Sequence, residues 1–203
     1  YALGRGHLVL REYPEAQAAL EQAFSIGYDT PEARLSLGLT LGERYRQELE
    51  QAQRTGDKKW IEARERELEA QFLKPALSYL SGAKSSVEAP SYLQGLLFFY
   101  RRQYAEALST AQRAQSEAPW LAEPLRLEGD VYQVMGIQML DRGQFRDACS
   151  LLVRAASSHH AAVAISSSDS SLYGAEAVDW IRIMEADTDT GGSAPSPGPA
   201  ADP

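Results

Sequence analysis

The sequence predicts an all-α chain built from helix pairs stacked one on the next. Three observations predict it. The aliphatic content is mainly Leu and Ala, with few Val, Ile and Thr, a balance that favours helix over strand. Glycines recur at a fixed interval: Gly4 and Gly38 are 34 residues apart, and so are Gly95 and Gly129. The residues that follow the glycines recur as well, and self-similarity at a period of a few tens of residues marks a repeat array.

The first repeat, residues 1–28, places Tyr13, Ala16, Leu20 and Ala23 after Gly4. The third, 89–119, places Phe98, Tyr104, Ala107, Ala114 and Pro119 after Gly95, with Tyr, Ala and Ala at the same offsets. The fourth, 120–168, has Tyr132 after Gly129 and then, after a delay, Phe145, Ala148, Leu152 and Ala155. This pattern resembles the tetratricopeptide repeat, a 34-residue helix-turn-helix. The resemblance implies a solenoid of antiparallel helix pairs. Gly and Ala are small where two helix backbones approach, and the aromatic covers the end of that contact. The closing Pro opens the next helix, where its missing N–H costs nothing.

The second repeat, 31–88, is longer than this standard. Leu41, Tyr45, Leu49 and Ala52 form one apolar stripe at helical spacing, and Trp60, Ala63, Leu68 and Phe72 form another. Gly56 suits a helix C′ position and Asp57 an N-cap. Both helices are therefore expected to extend into an antiparallel arm, with Ala52 facing Trp60, Leu49 facing Ala63 and Tyr45 facing Leu68. Eight acidic and seven basic residues lie between Glu43 and Glu69. Balanced charge of this kind reads as a solvated face, and Glu50–Arg54 and Glu62–Arg66 are spaced to pair. Pro75 is expected to end the arm and open a new helix carrying Ala76, Leu80 and Ala83.

The fourth repeat reads as two long helices about Gly143, with Tyr132, Met135 and Met139 facing Ala155, Leu152 and Ala148. A last helix over 169–186, with Leu172, Ala175, Val178 and Ile181 inward, is expected to cap the stack. From Asp187 the Gly/Pro/Ser-rich composition predicts a disordered tail.

Catalytic and metal chemistry find no support in the residue pattern. The histidines are His7, His159 and His160; the last two are adjacent on a helix, point different ways and lack a Glu or Cys at i±4. Both read as partly exposed helix residues. The single cysteine, Cys149, reads as a small buried residue in the second-helix pattern. Gly4–Gly6 is no phosphate loop, since no strand precedes it and no third Gly follows. No cofactor, metal or catalytic residue is expected. The formal charge of −8 argues against a phosphate-backbone binder. No apolar run reaches the length of a membrane span. One cysteine suits a reducing compartment, read as the cytoplasm, and the start of the chain reads as the interior of a longer protein.

What remains is surface. In a solenoid of this type the first helices line the concave side, which brings Arg5, Glu32, Leu39, Glu43, Tyr92, Leu96, Phe99, Tyr100, Arg126, Asp130 and Gln133 on or near it. The expected partner-binding residues are Arg5, Tyr92, Leu96, Phe99, Tyr100, Arg126, Asp130 and Gln133, because clustered aromatics are enriched at binding hot spots. A filled groove, with the long arms burying the aromatics, is the other arrangement the sequence allows. The positions that hold a peptide carboxylate in some tetratricopeptide proteins are Tyr1, Arg5, Ser36, Ala89 and Leu93 here, and these form no such clamp.

Two function classes follow. The first is a scaffold without activity of its own, which takes a protein or peptide partner or a domain of its own parent chain. The second follows from "FLKPALSYL", "EAPSYLQGLLFFYRRQYAEAL" and "APWLAEPLRLEGDVY", which resemble the helical-repeat region following the kinase domain of some bacterial Ser/Thr protein kinases. That resemblance spans roughly residues 1–186 and implies a signalling parent using ATP and Mg²⁺. It supplies no catalytic residue in this chain, which has no Gly-rich phosphate loop, His-Arg-Asp loop or Asp-Phe-Gly. The coding region upstream of Tyr1 discriminates the two.

Overall fold

The computed structural model describes residues 1–55, 57–83 and 89–168. All regular structure among them is helical. The elements are α1 (Ala2–Val9), α2 (Tyr13–Ser25), α3 (Pro31–Thr55), α4 (Lys58–Leu68), a π-helical turn (Glu69–Leu73), α5 (Lys74–Gly82), α6 (Pro90–Tyr100), α7 (Tyr104–Glu117), α8 (Glu123–Asp141) and α9 (Phe145–Ser168). Each element packs on its chain neighbours. The capping helix expected over 169–186, the tail from 187 and the C′ position at Gly56 lie outside the described residues.

Small residues set the close approaches. A Cβ at Gly4 would stand 2.6 Å from Leu20 Cγ, and one at Gly38 would stand 2.7 Å from Leu80 Cγ. The two contacts match, with 26 more residues enclosed in the second pair (80 − 38 against 20 − 4). At Gly95 a Cβ would lie 3.6 Å from the Ala107 carbonyl oxygen; at Gly136 it would lie 3.5 Å from that of Ala148. Gly136, and not Gly129, therefore takes the place of Gly95 in the last pair, a correction of the register expected from sequence. Gly129 lies instead against the His159 ring. The interval between equivalent glycines is 41 residues (136 − 95). The cause is the length of α8, 19 residues where α6 has 11.

The corrected register also lines up the turns. Arg11, Arg102 and Gly143 each fall seven residues after Gly4, Gly95 and Gly136, and each is left-handed, with φ of 59°, 61° and 73°. In each turn the next amide closes back over the helix end: Glu12 N–H donates to His7 O, Gln103 N–H to Phe98 O and Gln144 N–H to Met139 O, all at 2.9 Å. This is the Schellman closure, which glycine fits best. An arginine there costs on the order of 1 kcal/mol of backbone strain.

The extended second pair differs from expectation at Pro75. The helix does not stop there. The π turn ahead of it sends the Lys74 N–H to Glu69 O, five residues back, and the backbone continues into α5. The extra residue in the turn displaces the ladder just where Pro75 supplies no donor. Asp57 caps α4 as expected, accepting from the Trp60 N–H at 2.9 Å. Glu50 and Arg54 pair at 2.5 Å. Leu68 and Phe72 are buried beside Leu41, Tyr45 and Leu49, whereas Trp60 and Ala63 are exposed. Cys149 is exposed, not buried, because it points away from the α8 contact that its neighbour Ala148 makes. Met135 and Met139 are partly buried. No helix among the described residues is long and apolar enough to cross a membrane.

Candidate functional site

The aromatic groove expected from sequence is closed. Tyr92, Leu96, Phe99 and Tyr100 are 5%, 4%, 2% and 1% exposed, so they are core and offer no contact surface. The reason is α3. Gly42 leaves room for the Tyr100 ring, whose Cε1 would lie 2.5 Å from any Cβ added there. The Tyr100 hydroxyl then donates to Glu43 Oε1 at 3.0 Å. Three residues further along α3, the Arg46 guanidinium lies 4.7 Å from the Phe99 ring centroid and donates to Glu43 Oε2 at 3.0 Å. The bulky side chains of α6 thus meet a glycine and an ion pair on α3.

A polar cluster replaces the groove, and all four helix pairs contribute to it. Arg11 and Tyr13 come from the first pair, Glu43 and Arg46 from the second, Tyr92 and Tyr100 from the third, and Arg126, Asp130 and His159 from the fourth. Burial, with the carboxylate of Glu43 next in weight, pushes the Tyr13 hydroxyl well above its usual range; Arg11 and Arg46 oppose, and Asp130 adds to the rise. Burial likewise raises the Tyr92 hydroxyl, although Arg126 opposes both by its charge and by donating a hydrogen bond to it. Tyr100 is raised by burial and by Glu43. Burial works against the charge on Arg46, but Glu43, Asp130, Tyr100 and Tyr13 outweigh it and hold the guanidinium firmly protonated. Arg46 keeps 34% of its side-chain surface open to solvent.

Of the residues expected to bind, Arg126 and Asp130 sit in this cluster, both partly buried, and Gln133 is exposed on the same helix. Arg5 is exposed on α1, with its guanidinium 5.9 Å from the Tyr1 ring centroid. Sequence reasoning missed Arg11, Tyr13, Arg46 and His159. The signal for Arg46 was its place three residues after Glu43. His159 carries no signal in the sequence, because the Gly129 that makes space for its ring reads there as the repeat glycine.

His159 Nε2 stands 3.7 Å from Asp130 Oδ1. Burial lowers the imidazole below its ordinary value; Arg126 on α8, Arg11 at the α1–α2 turn and His160 on α9 act in the same direction, and Asp130 opposes them. The unfolded chain therefore protonates first on acidification. Stability held by neutral His159 is complete above the ordinary histidine range, near pH 6.5, and is lost as pH falls from there through the lower folded value. The expected outcome is a smaller drop in melting temperature between about pH 7.5 and about pH 5 for His159→Gln than for the parent. Equal drops would contradict the placement of His159.

Elsewhere, an open recess of about 370 Å³ on the arm is lined by Glu48, Gln51, Ala52, Trp60, Arg64 and Glu67. Arg64 bridges Glu48 and Glu67 within it, at 3.4 Å and 3.0 Å, so those charges are already paired. Among the described residues no group of three His, Cys, Asp or Glu side chains is placed to hold a metal ion. Comparison with protein-family models and with curated proteins gives no match to the chain.

Proposed function

We propose that the chain is a protein-interaction module of tetratricopeptide type, with antiparallel helix pairs in a solenoid and an inner face that grips a charged peptide segment of a partner. The shared offsets of Gly4, Gly95 and Gly136 to Ala16, Ala107 and Ala148 support the repeat reading, as do the matching left-handed turns. The observation that carries the function is the inner cluster. Charged groups from separate helix pairs, Glu43 and Asp130 among them, act on Arg46, a third of whose side chain is open to solvent, and charge-assisted hydrogen bonds from such groups are strong and directional. The net charge of −8 favours a protein partner over nucleic acid.

Selection from a displayed random-peptide library tests this reading. The parent protein is expected to enrich peptides with a common spacing of acidic and basic residues, and Arg126→Glu with Asp130→Arg is expected to change that spacing. Failure of the folded parent to enrich any charged pattern would end the proposal.

A further inference from the structure

Glu43 and Asp130 both lend a carboxylate to the inner cluster, and they are held differently. Glu43 has both oxygens engaged: Oε1 accepts from the Tyr100 hydroxyl and Oε2 from the Arg46 guanidinium, each at 3.0 Å. Asp130 lies on α8 with 35% of its side chain open to solvent, and its Oδ1 stands 3.7 Å from His159 Nε2. Of the two, Asp130 is the carboxylate placed to meet a basic side chain of a partner.

The neighbour of Asp130 is set by the backbone. A Cβ at Gly129 would stand 2.6 Å from His159 Cε1, so a glycine is what lets the imidazole reach this side of α8. The His159 side chain is 18% exposed, largely enclosed yet in reach of solvent protons. The charged and titratable groups that act on it come from three elements. They are Asp130 and Arg126 on α8, Arg11 at the α1–α2 turn, and His160 on α9 itself. Asp130 in turn acts on Arg46 of α3 and on the Tyr13 and Tyr92 hydroxyls, which burial pushes up and keeps neutral. Histidine is the side chain whose ordinary range falls near neutral pH.

We propose that His159 is a proton-operated control on the inner face: as a neutral ring it leaves Asp130 to a lysine or arginine of the partner peptide, and as an imidazolium it occupies that carboxylate and repels the incoming cation. The proposal rests on the reading of that face as a binding surface. At 3.7 Å, in a partly buried site, salt screens the pair of charges less than it would at an open surface. A second cation at the same carboxylate is then disfavoured. The coupling is reciprocal, so a cation brought to Asp130 lowers the proton affinity of His159 by the same factor. Burial, Arg126 and Arg11 already hold the ring below its ordinary value of 6.5. The control is therefore off at neutral pH and engages as pH falls below that value.

Affinity for a selected peptide that carries Lys or Arg but no His, measured by calorimetry at about pH 7.5 and about pH 5, tests the control. The parent should bind about two- to fivefold more weakly at the lower pH, the size of effect that a partly exposed ion pair supports. His159→Gln should show no such drop, whatever its affinity. The chain has three histidines, and His7→Gln and His160→Gln should keep most of the drop. Titration of the imidazole signals by NMR gives a second reading. Saturating peptide should lower the His159 midpoint, and Asp130→Asn should lower it with no peptide present. An undiminished drop in folded His159→Gln, or a His159 midpoint indifferent to peptide and to Asp130→Asn, would overturn the control and leave the binding reading standing. A midpoint that falls in Asp130→Asn, beside a peptide selection that enriches no charged pattern, would overturn the binding reading and the control with it.

Discussion

Replacing Tyr100 by Ala is expected to lower the unfolding free energy by about 3–5 kcal/mol, as truncation of a buried aromatic does. The ring is almost fully enclosed, against Gly42 on one side and 5.6 Å from the Phe99 centroid on another. Its removal leaves a cavity that Gly42 cannot fill and takes a hydrogen bond from Glu43. Urea denaturation followed by circular dichroism measures the effect. A contact residue in an open groove would behave otherwise, with stability within about half a kcal/mol of the parent. That outcome would return Tyr100 to the surface.

Gly95→Leu is expected to destabilise by about 1–3 kcal/mol through overpacking. A Cβ there would meet Leu127 Cδ2 at 2.8 Å and Thr110 Oγ1 at 3.1 Å. Leu127 can turn away, but Thr110 is held by its bond to Glu106 O at 2.7 Å. Gly6→Leu is the matched control, since a Cβ at Gly6 meets nothing within 4 Å. In a helix, that change is neutral or mildly stabilising. Equal melting temperatures for the two variants would remove the basis for the repeat register.

The all-helical fold was legible because Ala, Leu and Gly positions respond to local contacts that repeat along the chain. Gly95 with Ala107, and Gly4 with Ala16, report a close approach within one helix pair, and nothing distant alters it. The choice of Gly129 over Gly136 failed for a geometric reason. The two are seven residues apart, nearly two full turns, so they share one face of α8 and periodicity cannot separate them. Pro75 marked an irregularity but not its form, since a π turn carries no composition of its own.

The candidate site was less legible because it is tertiary. Whether Tyr92, Phe99 and Tyr100 face solvent depends on the path of α3, and the residue that decides it is Gly42, a second glycine one turn after Gly38. Its role becomes visible only once Tyr100 is seen against it. Arg11 and His159 lie 148 residues apart in sequence (159 − 11), yet both act on one cluster. No local pattern joins them. Arg126 and Asp130 come from counting back and forward from Gly129, so they fall in the cluster although Gly136, not Gly129, holds the position of Gly95.

Titration of a selected peptide into isotopically labelled protein, read as backbone amide shifts, tests the interaction claim most directly. Changes are expected to centre on Glu43, Arg46, Arg126, Asp130 and Gln133, with affinity lost in Asp130→Arg. Changes confined to the Trp60 recess or to the outer face of α9 around Val153, with Asp130→Arg binding as tightly as the parent, would contradict it.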